Sequence, residues 1–168
     1  MSTEQNHGNP NPDFSALTDQ IPGFQFVDHI AIAVPQGTLN DHVAAYGLMG
    51  FQELHRETMG GRDMVCEALL QIGNSPNLIQ LLEPTSADSP VQKALDRQGG
   101  KGGLHHVGFR VHEIQATFDD LKKKGFQIID AAPRPGSRGT TVFFLHPKGQ
   151  PGVAFNVLIE VVQEGQET

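Results

Sequence analysis

The sequence predicts an α+β fold made of two βαβββ modules in tandem. Three observations predict it. "DHIAIAV" at 28–34 and "HHVGFRV" at 105–111 are short apolar runs, each with a histidine in second place. A helix-like stretch follows each one, "GTLNDHVAAYGLM" or "EIQATFDDLKKK", and then the same letters, "GFQ" at 50–52 and 125–127, opening a further β-like segment. Each half closes on a matching strand, "LIQLLE" at 78–83 and "VLIEVV" at 157–162. Self-similarity at a fixed spacing means a repeated supersecondary unit.

The elements follow in order. Residues 1–23 are polar and carry two Asn-Pro pairs, which predicts a flexible N-terminal extension. A single domain is expected over 24–163, with modules 24–84 and 104–163, a linker 85–103 and a tail 164–168. In the second helix Ile114, Phe118 and Leu121 fall at helical spacing, and three lysines crowd the last turn before Gly125. Within the linker, Ser89-Pro90 starts a short helix that "GGKGG" ends. A phosphate-cradling loop would need Ser or Thr after Lys101, so these glycines read as a connector.

Composition narrows the partners. A net charge of -7 and a pI near 5.5 argue against nucleic acid and acidic membranes, both of which need a basic face. The lone Cys66 rules out an internal disulfide framework and fits a reducing compartment. No apolar run approaches the roughly 20 residues that span a bilayer, and the N-terminus has neither a basic start nor an apolar centre. A cytoplasmic protein is expected.

Strand alternation sorts the polar residues. His29 shares a face with Ala31 and Ala33, and His106 with Gly108 and Arg110. Ile30, Ile32 and Val34, with Val107, Phe109 and Val111, face the helices. His105 points away from His106. Gln80 and Glu160 occupy equivalent points of the closing strands. Burying such groups unpartnered costs several kcal/mol. A metal resolves all four: a pseudo-two-fold axis brings His29 to His106 and Gln80 to Glu160. That donor set suits Co, Mn, Fe, Ni or Zn. Glu67, in "MVCEALLQI", shares a face with Val65 and Leu69. It reads either as a solvated group on an edge strand or as a general base raised by an apolar setting.

"DHIAIAV", "LIQLLEP", "GLHHVGF" and "FLHPKG" with "VLIEVV" resemble the vicinal-oxygen-chelate superfamily, which includes glyoxalases, bleomycin-resistance proteins and dioxygenases. "QLLEPTSADSPV" and "FLHPK" are similar to its methylmalonyl-CoA epimerase branch. The resemblance spans 24–163. It implies a curled mixed sheet around a metal cleft, usually in a homodimer, with His29, Gln80, His106 and Glu160 holding one divalent ion (Co, Mn, Ni, Zn or Mg). The activity implied is an isomerase of propionate metabolism. It would interconvert (2R)- and (2S)-methylmalonyl-CoA by removing and returning the α-proton through a metal-stabilised enolate. Glu67 and Glu160 would be the two proton carriers. Arg134, Ser137, Arg138 and Lys148 are candidates to meet the acyl-CoA substrate. Three alternatives stay open: another glyoxalase-type isomerase or lyase, an iron(II) ring-cleaving dioxygenase, and a metal-free binding protein. Glu83 and Gln163 are poorer ligand candidates, because each faces away from its neighbour Gln80 or Glu160.

Overall fold

The computed structural model describes residues 21–152 and 154–165. The expected extension lies outside them up to residue 20, as does the tail beyond Gly165. Chain order runs β1 (Phe24–Ala33), α1 (Leu39–Leu48), β2 (Phe51–Met59), β3 (Val65–Ile72) and β4 (Leu78–Pro84). Helix α2 (Pro90–Arg97) follows, then β5 (Gly103–Val111), α3 (Ile114–Lys123), β6 (Arg134–Pro135), β7 (Thr141–Leu145) and β8 (Leu158–Gln163). Two halves meet along one antiparallel seam, β1 against β5. The strands form one mixed, curled sheet in the order β2-β3-β4-β1-β5-β8-β7-β6. Each module repeats the same wiring, with its first strand parallel to its last, β1 to β4 and β5 to β8.

Each outer helix buries one apolar stripe. On α3, Ile114, Phe118 and Leu121 pack on Phe143, Leu145, Ile159 and Val161. On α1, Leu39 sits with Ala68, Leu70 and Leu81, flanked by Val43 and Tyr46. Neither helix has a side-chain cap from its own N-cap residue. The closing strands supply it instead: Glu83 Oε2 accepts from the Leu39 N–H at 2.7 Å, and Gln163 Oε1 accepts from the Ile114 N–H at 2.8 Å. The residues that face away from the ligand positions therefore tie each helix to its own sheet.

Two expectations need correction. The second "GFQ" opens no full strand. Its segment keeps an isolated bridge, Ile128 to Leu145, and a two-residue β6. Pro133 and Pro135 bring no N–H to a ladder, and the Asp130 carboxylate accepts from the Phe144 N–H at 2.8 Å, where a strand would offer a carbonyl. Ile30 is also not covered by a helix. It is 42% exposed at the seam, on the same face as Leu104 at 49%, because α1 and α3 pack on the flanks of the sheet. Among the described residues no helix is long and apolar enough to cross a membrane.

Loss of a borrowed cap has a defined effect. Glu83→Ala and Gln163→Ala should each lower unfolding free energy by about 1 kcal/mol, read by urea denaturation. An unchanged midpoint would show that the caps are incidental.

Candidate active site

Two rows of residues cross the seam. His29 on β1, Gly108 on β5 and Glu160 on β8 are directly aligned, and Gln80 on β4, Ala31 on β1 and His106 on β5 form the equivalent row. A small residue sits in the middle of each row, which lets the flanking side chains lean over it. At Gly108 the requirement is steric: a Cβ there would lie 2.3 Å from His29 Cε1.

Three donor atoms converge over these rows. His29 Nε2 is 2.9 Å from His106 Nε2 and 3.0 Å from Glu160 Oε2, and His106 Nε2 is 3.6 Å from the same oxygen. Both histidines are buried, and the Glu160 side chain is 12% exposed. Two nitrogens bound to one ion at about 2.1 Å and at right angles stand about 3 Å apart, so the spacing suits a shared cation. Gln80 is buried too; its Nε2 donates to Glu67 Oε2 at 2.8 Å, and its Oε1 has no hydrogen-bond partner. A buried amide oxygen left over in this way fits a fourth ligand.

Electrostatics ask for positive charge at the same point. Burial opposes protonation of His29, yet the Asp28 and Glu160 carboxylates outweigh it and push the ring up to about 9. Burial works against the Glu160 carboxylate, and the two histidines more than compensate, holding it well below the ordinary range. Burial pushes the His106 ring below its ordinary value. Without a metal, a proton on His29 faces the Asp28 and Glu160 carboxylates; an ion coordinated there would bring a larger positive charge to the same point.

Glu67 lies beside this cluster. Strand β3 runs between β2 and β4, so the edge-strand reading of Glu67 is wrong: the residue is 1% exposed. Burial raises its carboxyl, and the Ser137 hydroxyl offsets this in part. Its Oε1 has no hydrogen-bond partner. Glu67, Gln80, His106 and Glu160 all line one cavity of about 220 Å³.

The remaining candidates divide. Arg134 and Ser137 line the cavity; Arg134 is held by Asp63 and Asp130 and stacks 5.6 Å from the Phe144 ring centroid. Arg138 and Lys148 do not line it. Arg138 is in a left-handed turn, φ 55°, that sends its guanidinium toward Asp28 at 3.6 Å, while Lys148 is exposed.

Sequence reading also missed contributors. His105 bonds His106 and lines the cavity, although alternation sent it to the opposite face. Asp28 bonds His29. The signal available was that a polar residue precedes the histidine in both repeats. Helix α2 adds Pro90 and Val91 to the wall.

Residues 28–144 match the family model of the glyoxalase/bleomycin resistance protein/dioxygenase superfamily. The chain is 33% identical over 150 residues to the mitochondrial methylmalonyl-CoA epimerase of Homo sapiens, covering 86% of this chain and 80% of that protein. It superposes with a TM-score of 0.77 on the crystal structure of methylmalonyl-CoA epimerase from Mycobacterium tuberculosis, at 28% identity, covering 88% of this chain and 93% of that one. A Streptomyces coelicolor methylmalonyl-CoA epimerase in complex with 2-nitronate-propionyl-CoA gives 0.75 at 34% identity, covering 85% and 99%.

A methyl group at position 108 should displace the His29 ring. Gly108→Ala should lose about 1–3 kcal/mol of stability by overpacking and weaken divalent-ion uptake, checked by thermal melting and metal analysis. Native metal content in that variant would separate His29 from the ion.

Proposed function

The chain belongs to the glyoxalase/bleomycin resistance protein/dioxygenase superfamily and, within it, to the methylmalonyl-CoA epimerases, and we propose that it interconverts the (2R) and (2S) forms of methylmalonyl-CoA. The observation that carries this reading is Glu67, a buried carboxylate outside the three-donor cluster with one oxygen unpartnered.

Inversion at a carbon between a thioester and a carboxylate needs a proton acceptor on one side and a proton donor on the other. Glu67 comes from the first module and Glu160 from the second, and both line the cavity. Burial favours the protonated form of Glu67, which makes its carboxylate a more avid base than an exposed one. The Gln80 amide fixes one Glu67 oxygen and leaves the other to meet the α-hydrogen. Glu160 is the second carrier, and the weaker base, because both histidines draw on its charge.

His29, Gln80, His106 and Glu160 are the residues assigned to hold a divalent ion. Bound there, it would supply the positive charge that makes the α-proton acidic and offsets the charge left on its removal. Arg134 and Ser137 are assigned to the substrate, from the cavity wall. The apolar seam at Ile30 and Leu104 supports pairing of two chains, since large exposed hydrophobics on one face invite a partner. The His29, His106 and Glu160 set by itself also matches an iron(II) facial triad. An oxygenase, however, gives Glu67 no work.

Two measurements decide between these readings. In deuterated water the chain should exchange the α-hydrogen of methylmalonyl-CoA without consuming oxygen, and chelation should stop the exchange. Glu67→Ala should keep its metal and lose about 10²–10⁴-fold in turnover. Oxygen uptake, or full activity in that variant, would overturn the reading.

A further inference from the structure

The residues just before the two histidines share a backbone device. In the pairing of β1 with β5, Val27 meets Phe109 and His29 meets Gly108, so Asp28 has no partner across the ladder. Likewise Ile32 meets Leu104 and Ala31 meets His106, so His105 has none. Each is the extra residue of a β-bulge, which breaks alternation and re-aims a side chain. Both are re-aimed to the same target. Asp28 Oδ1 lies 2.8 Å from His29 Nδ1, and His105 Nδ1 lies 2.8 Å from His106 Nδ1.

Proton accounting gives these contacts a purpose. An imidazole that offers Nε2 to a metal must carry its proton on Nδ1, and that proton needs an acceptor. Asp28 provides a carboxylate oxygen. His105 can accept only if its own proton is on Nε2. No side chain bonds that nitrogen among the described residues, and the ring lines the cavity. The two acceptors differ in charge. Asp28 is 1% exposed and is gripped by Arg110 through Nε at 2.7 Å and through a second guanidinium nitrogen, with Arg138 close by. Arg110 also bonds Glu164. His105 has no carboxylate partner among the described residues.

We infer that Asp28 and His105 are paired positioning residues, each set by a β-bulge to hold the Nδ1 proton of the histidine after it, so that both rings present Nε2 to the ion. This rests on His29 and His106 being metal ligands.

The test begins with the unmodified chain, freed of metal and titrated with Zn(II), with the histidine rings followed by long-range ¹H–¹⁵N NMR. His29 and His106 should bind through Nε2 and keep slowly exchanging Nδ1 protons. Coordination through either Nδ1 overturns the inference. Affinity for Co(II) alone is then measured by competition with a chromophoric chelator. His105→Phe should weaken it about 10–100-fold, while His105→Asn, which restores an acceptor near the Nδ1 position, should stay within about threefold of native. For Asp28 the variant is Asp28→Leu with Arg110→Met, which removes both partners of the buried ion pair together instead of stranding one of them, with Arg138 the cation that remains nearby; it should also weaken Co(II) about 10–100-fold. Native affinity in both the His105→Phe and the double variant overturns the inference. If the unmodified chain takes up neither ion, the metal reading itself fails, and the two failures are told apart.

Discussion

Three electron-rich atoms held 2.9 to 3.6 Å apart in a buried place set the terms for this molecule. His29, His106 and Glu160 come from strands of two modules, and there two imidazole nitrogens meet beside a carboxylate oxygen. The arrangement is stable only if positive charge sits among them, as a proton or as a metal ion. Much of the surrounding structure serves that demand. Gly108 and Ala31 make room for the rings, the parallel pairs fix Gln80 and Glu160 at matching heights, and α1 and α3 fasten each half from outside.

Duplication explains why so much of this was legible in the chain. The second-place histidines, the small residues beside them and the polar residue in each closing strand occur twice at matching positions, so one register error would have had to be made twice. Residues with the wrong facing, Glu83 and Gln163, turned out to be helix caps, again in equivalent places. Glu67 was legible as an oddity, but whether it was wet depended on strand order, which a local pattern does not contain. The bulges at Asp28 and His105 were not legible either. A bulge is a property of two strands together, and period-two reasoning on one strand sends both side chains the wrong way. The failed strand after the second "GFQ" has a local cause, Pro133 and Pro135, which a repeat pattern does not register.

Symmetry of the scaffold does not extend to its chemistry. One closing strand contributes an amide and the other a carboxylate; one histidine is backed by an anion and the other by a neutral ring. An axis that places donors evenly around a point is useful for holding an ion, and it does not require the side chains set on it to match. The structure keeps the geometry doubled and varies the side chains.

Helix α2 joins the two modules and has no counterpart within either, and it forms part of the cavity wall through Pro90 and Val91. The segment that connects the modules therefore shapes the chamber without belonging to the sheet that carries the donors. Changes in this connector can widen or narrow the cavity while every donor stays in place, so the room offered to a bound molecule and the electrostatics of the donor cluster are free to diverge separately.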